Sequence, residues 1–206
     1  MRSTNARKAY SGITGCQLEQ LLLAEAALIG RKKTERALIV AADGTVLLDK
    51  SGSSDRVKAS VPKKLRRYLP DAVATHNHPF CSALSVPVRP ENDPHGVELV
   101  SDLLAFFNMG LREMRMVCCC AGDPTISRVR RIPKRVLGES KILLVLGAAL
   151  ESVDRSTSRG FGDQKVFHDA LKSAVRKFPK LISYSRVRLD LAVAEILGIE
   201  LTGLPT

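Results

Sequence analysis

Two imidazoles stand two residues apart in Thr75-His76-Asn77-His78-Pro79. At the end of an extended strand, residues i and i+2 face the same side, so His76 and His78 converge while Asn77 points away from them. Neutral imidazoles are good ligands for zinc, and a catalytic zinc needs a third protein ligand and one position left open for water. Taken alone, a His-x-His pair reads equally as two ordinary surface histidines, so the surrounding chain decides its meaning. Cys118-Cys119-Cys120 is a second candidate for metal chemistry. Successive strand residues point to opposite faces, however, so three thiolates in a row do not converge, and these cysteines read as small buried apolar side chains.

The elements that must hold the histidines follow from periodicity. Over residues 16–29, Leu18, Leu21, Leu22, Ala26 and Ile29 recur at helical spacing, with Gly30 as a stop. The segment ALIVAADGTVLLD places two β-prone runs around Asp43-Gly44, a dipeptide suited to a tight hairpin because both positions tolerate positive φ. Residues 62–68 form a short basic helix opened by proline, and DAVATHNHP is a buried strand running into a loop. Residues 79–94 hold four prolines and read as a long loop, of the kind that is often functional. Asp93-Pro94 then supplies a helix N-cap and a first-turn proline, Val97, Val100, Leu103, Leu104 and Phe107 continue the helix, and it ends near Asn108 to Gly110. MRMVCCC and TISRVRR are strands.

Beyond Pro133 the pattern is mostly helical, over 136–150, 166–178 and 187–197, with a Ser/Arg/Gly-rich break at 154–162. The expectation is an α/β fold: a mixed sheet from strands near 36–49, 71–76 and 113–130, flanked by helices. Residues 1–132 form one unit, with an N-terminal helix and a Pro-rich insertion at 80–96. Residues 133–206 form a basic helical C-terminal region, either a separate lobe or packed back on the sheet.

Composition bounds the function. The chain has 206 residues, 45% hydrophobic and 26% charged, which suits a globular protein with a sizeable core. It lacks an apolar run of about 18 residues, so no transmembrane helix and no membrane partner are expected. The first apolar stretch is interrupted by Glu25, which argues against a secretory leader. Five cysteines, an odd number, do not suggest a framework of paired disulfides, and a reducing, cytoplasmic setting is the simpler expectation. The net charge of +11 is spread over RKKTER, KKLRR, RVRRIPKR and the segment around 165–188. Such a surface attracts polyanions. Aromatic residues are only 4%, with no Trp, and no basic cluster is interleaved with stacking side chains, so a solvated basic face is the plainer reading and nucleic-acid contact the alternative.

TERALIVAADGTVLLDKSG, a short basic helix, AVATHNHP, a polar loop with a serine, and an aspartate opening into DLLAF together resemble the JAB/MPN (JAMM) metallopeptidase superfamily. Within it the chain is most similar to the RadC-like and phage-associated branches, whose signature runs HNHP, then Ser, then Asp. The resemblance spans residues 34–120. It implies a JAB/MPN-like sheet with cytidine-deaminase-like layering and a Zn2+ held by His76, His78 and Asp102. Glu35 then takes a proton from zinc-bound water and delivers it to the leaving amine, and Ser85, with Ser82 behind it, stabilises the oxyanion. The implied activity is cleavage of a peptide or isopeptide bond in a protein or peptide substrate. Two departures stand out. The spacing from His78 to Asp102 is longer than in the family, the extra residues being VPVRPENDPHG, and Leu99 stands where the family has Ser three residues before the aspartate. Asp93 is therefore a competing third ligand, its other role being the helix N-cap, and His95 in the same insertion reads first as a solvent-facing residue of the helix's first turn, with a substitute ligand as the alternative. The alternative function is a non-catalytic module of this fold that binds nucleic acid, or a phage, mobile-element or replication assembly, through its basic surface.

Overall fold

The structure is a computed structural model that describes residues 12–30, 32–53, 57, 60–78, 101–118, 124–156, 164–189 and 192. Leu18, Leu22, Leu23, Ala26 and Ile29 fall on one side of helix α1 (Gly15–Gly30), which buries them all. Strands β1 (Arg36–Val40) and β2 (Val46–Ser51) follow as an antiparallel pair. Between them the Asp43 carboxylate accepts the Thr45 N–H at 2.9 Å, and Gly44 N donates to Ala41 O at 3.0 Å. Gly44 alone uses the left-handed region, with φ of 81°. The connection is therefore a turn closed by a left-handed glycine, in place of the expected turn with positive φ available at both positions.

The short basic helix is realised as a 3-10 helix over Lys63–Asp71, capped by Pro62. It leads into β3 (Val73–His78), which is separated in sequence from helix α2 (Ser101–Met109) by the Pro-rich segment. The α2 helix closes with Gly110 at φ 66°: Gly110 N donates to Phe107 O at 2.9 Å and Leu111 N to Phe106 O at 3.1 Å, the paired bonds of a glycine C-cap. Strands β4 (Glu113–Cys118) and β5 (Thr125–Arg131), helices α3 (Glu139–Ser156) and α4 (Gln164–Lys177), and strand β6 (Ile182–Arg188) complete the described elements.

The six strands form one mixed sheet in the order β2-β1-β3-β4-β5-β6. Its one parallel pair is β3 with β4, the pair that α2 connects; the other neighbours are antiparallel. Both faces are covered, so β1 is apolar after Arg36, with Ala37, Leu38, Ile39 and Val40 all buried. On one face, Leu38, Val40, Val46, Val117 and Ile126 pack under α1. On the other, Ile39, Ala74, Met114, Met116, Val129 and Ile182 share a core with Leu103, Phe106 and Phe107 of α2, Val145 and Ala148 of α3, and Leu171 and Ala174 of α4. The region after Pro133 thus packs back on the sheet.

That region is not helical throughout. Val187 and Arg188, at the start of the helix expected over 187–197, belong instead to β6, and only Leu189 and Ala192 of the remainder are described as helical. The strand ISYSRVR sits at the sheet edge with Ser185, Arg186 and Val187 exposed, so it carries little of the apolar alternation by which a strand is recognised.

Much of the RVRR charge is structural. Arg115, 1% exposed, donates from Nε to Glu113 at 2.7 Å and from Nη2 to Glu19 of α1. Arg130 donates to the second Glu113 oxygen at 2.7 Å, and Arg128 lies 3.7 Å from Glu19. Strand alternation sends these side chains to the α1 face. Arg131, on the opposite parity, is also buried and donates to the backbone carbonyls of Pro70, Leu111, Pro133 and Lys134. The solvated basic face expected here is in large part an internal ion-pair and capping network.

Candidate metal centre

Strand β3 sorts the HNH triplet as its alternation requires. His76 lies in register between Ala37 of β1 and Met116 of β4 and is 7% exposed. Its face is the one covered by α2. In the first turn of that helix, Asp102 brings Oδ1 to 3.4 Å from His76 Nε2. A carboxylate is favoured there by the helix dipole. The separation exceeds the usual 2.7–3.2 Å of a nitrogen–oxygen hydrogen bond. It matches the edge of a tetrahedron with metal–ligand bonds of about 2.0–2.1 Å, an edge of roughly 3.3 Å. An imidazole nitrogen and a carboxylate oxygen are both donors that zinc accepts, so these two residues fit the group as two of its ligands.

His78 ends β3, paired in register with Cys118, and its backbone parity puts it on the same sheet face as His76. Among the described residues no three His, Cys, Asp or Glu side chains form a metal-sized group; the side chain of His78 is not among those described. Ser82, Ser85, Asp93, His95 and Leu99, with the whole 80–96 insertion, also lie outside the described residues.

Glu35 is fixed by its backbone. Its N–H donates to Ser53 O at 2.7 Å, and its carbonyl accepts the Gly52 N–H at 2.8 Å. The β1–β3 register ends where Ala37 pairs with His76, two residues after Glu35. The side chain is half-buried.

Asn77 holds this arrangement together from the opposite face. It is completely buried; its Oδ1 accepts the Arg36 N–H at 2.7 Å, and its Nδ2 donates to Thr34 O at 3.2 Å and Lys32 O at 3.3 Å. The chain entering β1 on both sides of Glu35 is therefore tied to the residue between the two histidines. Arg36 adds a fork onto Asp49 of β2, at 2.9 and 3.0 Å. Sequence reading gave Asn77 no function, although a polar residue set to face the core side of a strand was a signal that it would need buried partners.

Cys118, expected as a free buried thiol, is disulfide-bonded. Strand alternation ruled out a three-thiolate site but said nothing about a sulfur partner. No described helix is long and apolar enough to cross a membrane. Compared with known proteins, the chain matches no protein-family model, no curated protein and no solved structure.

Proposed function

We propose that the chain is a zinc-dependent hydrolase of JAB/MPN type that cleaves a peptide or isopeptide bond. His76, His78 and Asp102 hold the ion, and Glu35 acts as the base. The observation that carries this reading is the 3.4 Å approach of His76 Nε2 and Asp102 Oδ1, which joins the HNHP strand to the helix on the far side of the insertion. Zinc supplies Lewis acidity and lowers the pKa of water to about 7. Glu35, two residues before the Ala37–His76 pair, takes a proton as water adds to the carbonyl carbon, and returns it to the nitrogen as the carbon–nitrogen bond breaks. Ser85 donates to the oxyanion in this reading. Positioning is the task of Asn77, which holds the Glu35 segment without touching the reacting groups.

Elemental mass spectrometry of the purified protein tests the proposal. Near-stoichiometric zinc is expected in wild type, Asp93→Ala and Glu35→Gln, and its loss in His76→Ala, His78→Ala and Asp102→Ala. Glu35→Gln keeps the metal and loses hydrolysis. Zinc retained by Asp102→Ala but lost by Asp93→Ala moves the third ligand into the insertion. Wild-type protein that takes up no zinc on reconstitution sinks the hydrolase reading. A second reading, a non-catalytic module of the same fold, is favoured by Leu99 at the position of the family's serine; metal-loaded protein inert toward peptide and isopeptide substrates selects it.

A further inference from the structure

Two adjoining cavities lie where α4 crosses the edge strand β6. One, of about 300 Å³, is lined by His168, Lys172, Tyr184, Ser185 and Arg186. The other, of about 420 Å³, is lined by Asp169, Lys172, Val175, Arg176 and Tyr184. They share Lys172 and Tyr184, so together they form one groove. Three cations line it against one carboxylate, and Lys172, Arg176 and Arg186 are all exposed.

The groove has two cationic walls and an aromatic divider. Lys172 and Arg176 stand four residues apart on α4, on one helix face and about 6 Å apart along the axis. Arg186 faces them from β6, on the sheet face that α4 covers, since it is in register with Ser127 and Tyr184 with Val129. The Tyr184 hydroxyl is held inward by a hydrogen bond with His168 Nδ1 and another with Ser127, and the two rings stack at 27° with centroids 5.7 Å apart. Tyr184, half-buried, thus lines both cavities as a fixed ring with one face against His168, and an aromatic ring in a cationic groove is what a single-strand reader places beneath a base. Linear sequence separates KSAVRK from SYSRVR; the fold interleaves them.

We propose that this groove binds the sugar–phosphate backbone of single-stranded nucleic acid. Guanidinium forks suit phosphate oxygens. Cavities of a few hundred cubic ångströms admit a nucleotide, whereas a duplex is too broad to enter them. The groove shares its sheet face with the candidate metal centre: Arg186, Ser127, Met116 and His76 form one register row across β6, β5, β4 and β3, about 14 Å from end to end. The binding proposal stands without the metal and is tested apart from it.

The test is fluorescence anisotropy of a labelled oligothymidylate of about 16 nucleotides, measured across a salt series with zinc-loaded and with chelator-treated protein. Three proteins are compared: wild type, the triple variant Lys172→Gln/Arg176→Gln/Arg186→Gln, and the control Lys50→Gln/Lys63→Gln/Lys64→Gln, which removes the same charge from exposed sites elsewhere. Loss of the groove cations is expected to weaken binding at least about ten-fold and to flatten the slope of log K against log salt by about 2, while the control stays within about two-fold of wild type. Polyglutamate of matched charge should compete far more weakly than unlabelled oligonucleotide. If the groove triple does not melt like wild type, the exposed pair Lys172→Gln/Arg176→Gln serves, with a slope change of about 1.4. Equal losses in groove and control variants, or no loss in either, overturn the proposal. So does competition by polyglutamate or inorganic phosphate as effective as that by oligonucleotide, which would mark a general anion or acidic-peptide site.

Discussion

Asn77 Oδ1 accepts the backbone N–H of Arg36 at 2.7 Å, so the residue between the two histidines fixes the strand that follows Glu35. Its amide nitrogen reaches the carbonyls of Lys32 and Thr34, ahead of Glu35, on the same side of the sheet. Strand alternation alone makes this division of labour: His76 faces α2, and Asn77 faces α1 and the segment leaving it.

Replacing Asn77 with Ala takes the side-chain partner from the half-buried Arg36 N–H and from the carbonyls of the exposed Lys32 and Thr34. The expected loss is about 2–3 kcal/mol, measured by urea denaturation. Asp at this position keeps the acceptor for Arg36 but turns a carboxylate toward the Lys32 and Thr34 carbonyls. It should be at least as destabilising as Ala. An Asn77→Asp protein as stable as wild type would mean that the two amide donations hold nothing.

Zinc and folding should be linked through Asp102. If the ion binds the native state alone, zinc at about 100 times its dissociation constant stabilises by about 2.7 kcal/mol. Chelator-treated wild type should therefore melt lower, and added zinc should restore it. In Asp102→Asn the charged ligand is gone, and the zinc-dependent rise in melting temperature should disappear while the metal-free melting point stays close to that of wild type. A zinc response that survives the substitution places the site elsewhere.

The strands around the site were legible because each carries a clean local signal. ALIV is apolar on both faces, AVATH ends at the histidine pair, and Asp43-Gly44 marks the turn. The Asp102 helix was legible through its apolar spacing and its glycine stop. What could not be read depended on tertiary partners. Glu113, Arg115, Arg128 and Arg130 look like surface charge in sequence, and only the sheet register shows that they face α1 and each other. In the same way β6 hides among serines and arginines because an edge strand is solvated along one side. Tyr184 and Lys172 meet only once β6 has paired with β5 and α4 has packed over it.

Acid should expose the Glu113 pairing. Burial alone would raise its pKa, but Arg115 and Arg130 beside it hold it below the ordinary glutamate value of 4.5. The unfolded chain therefore binds the proton more readily than the native one. The stabilisation is complete above about pH 4.5 and is lost as pH falls through the lowered value. Glu113→Gln leaves the buried Arg115 with Glu19 alone and should lose about 3–5 kcal/mol at neutral pH. The gap between variant and wild type should narrow on acidification below pH 4.5 and hold steady above it. A gap independent of pH would assign the loss to packing rather than to charge.

Arg131 gives the sharpest contrast with its neighbours. Its guanidinium reaches Leu111 O at 3.3 Å and Pro133 O at 2.6 Å, and also the carbonyls of Lys134 and Pro70. It thereby ties the end of the 3-10 helix, the exit from α2 and the turn after β5 at the end of the sheet opposite the histidines. Lysine cannot reproduce a planar fork with five donors, so Arg131→Lys should lose about 2–3 kcal/mol. Arg131→Met, which leaves the carbonyls without a cation, should lose about 3–5 kcal/mol. Arg135, exposed a few residues on, should tolerate Gln within about 0.5 kcal/mol. Urea denaturation of the three variants decides the matter: equal stabilities for the Arg131 and Arg135 variants would return this run to the solvated basic face that its sequence alone describes.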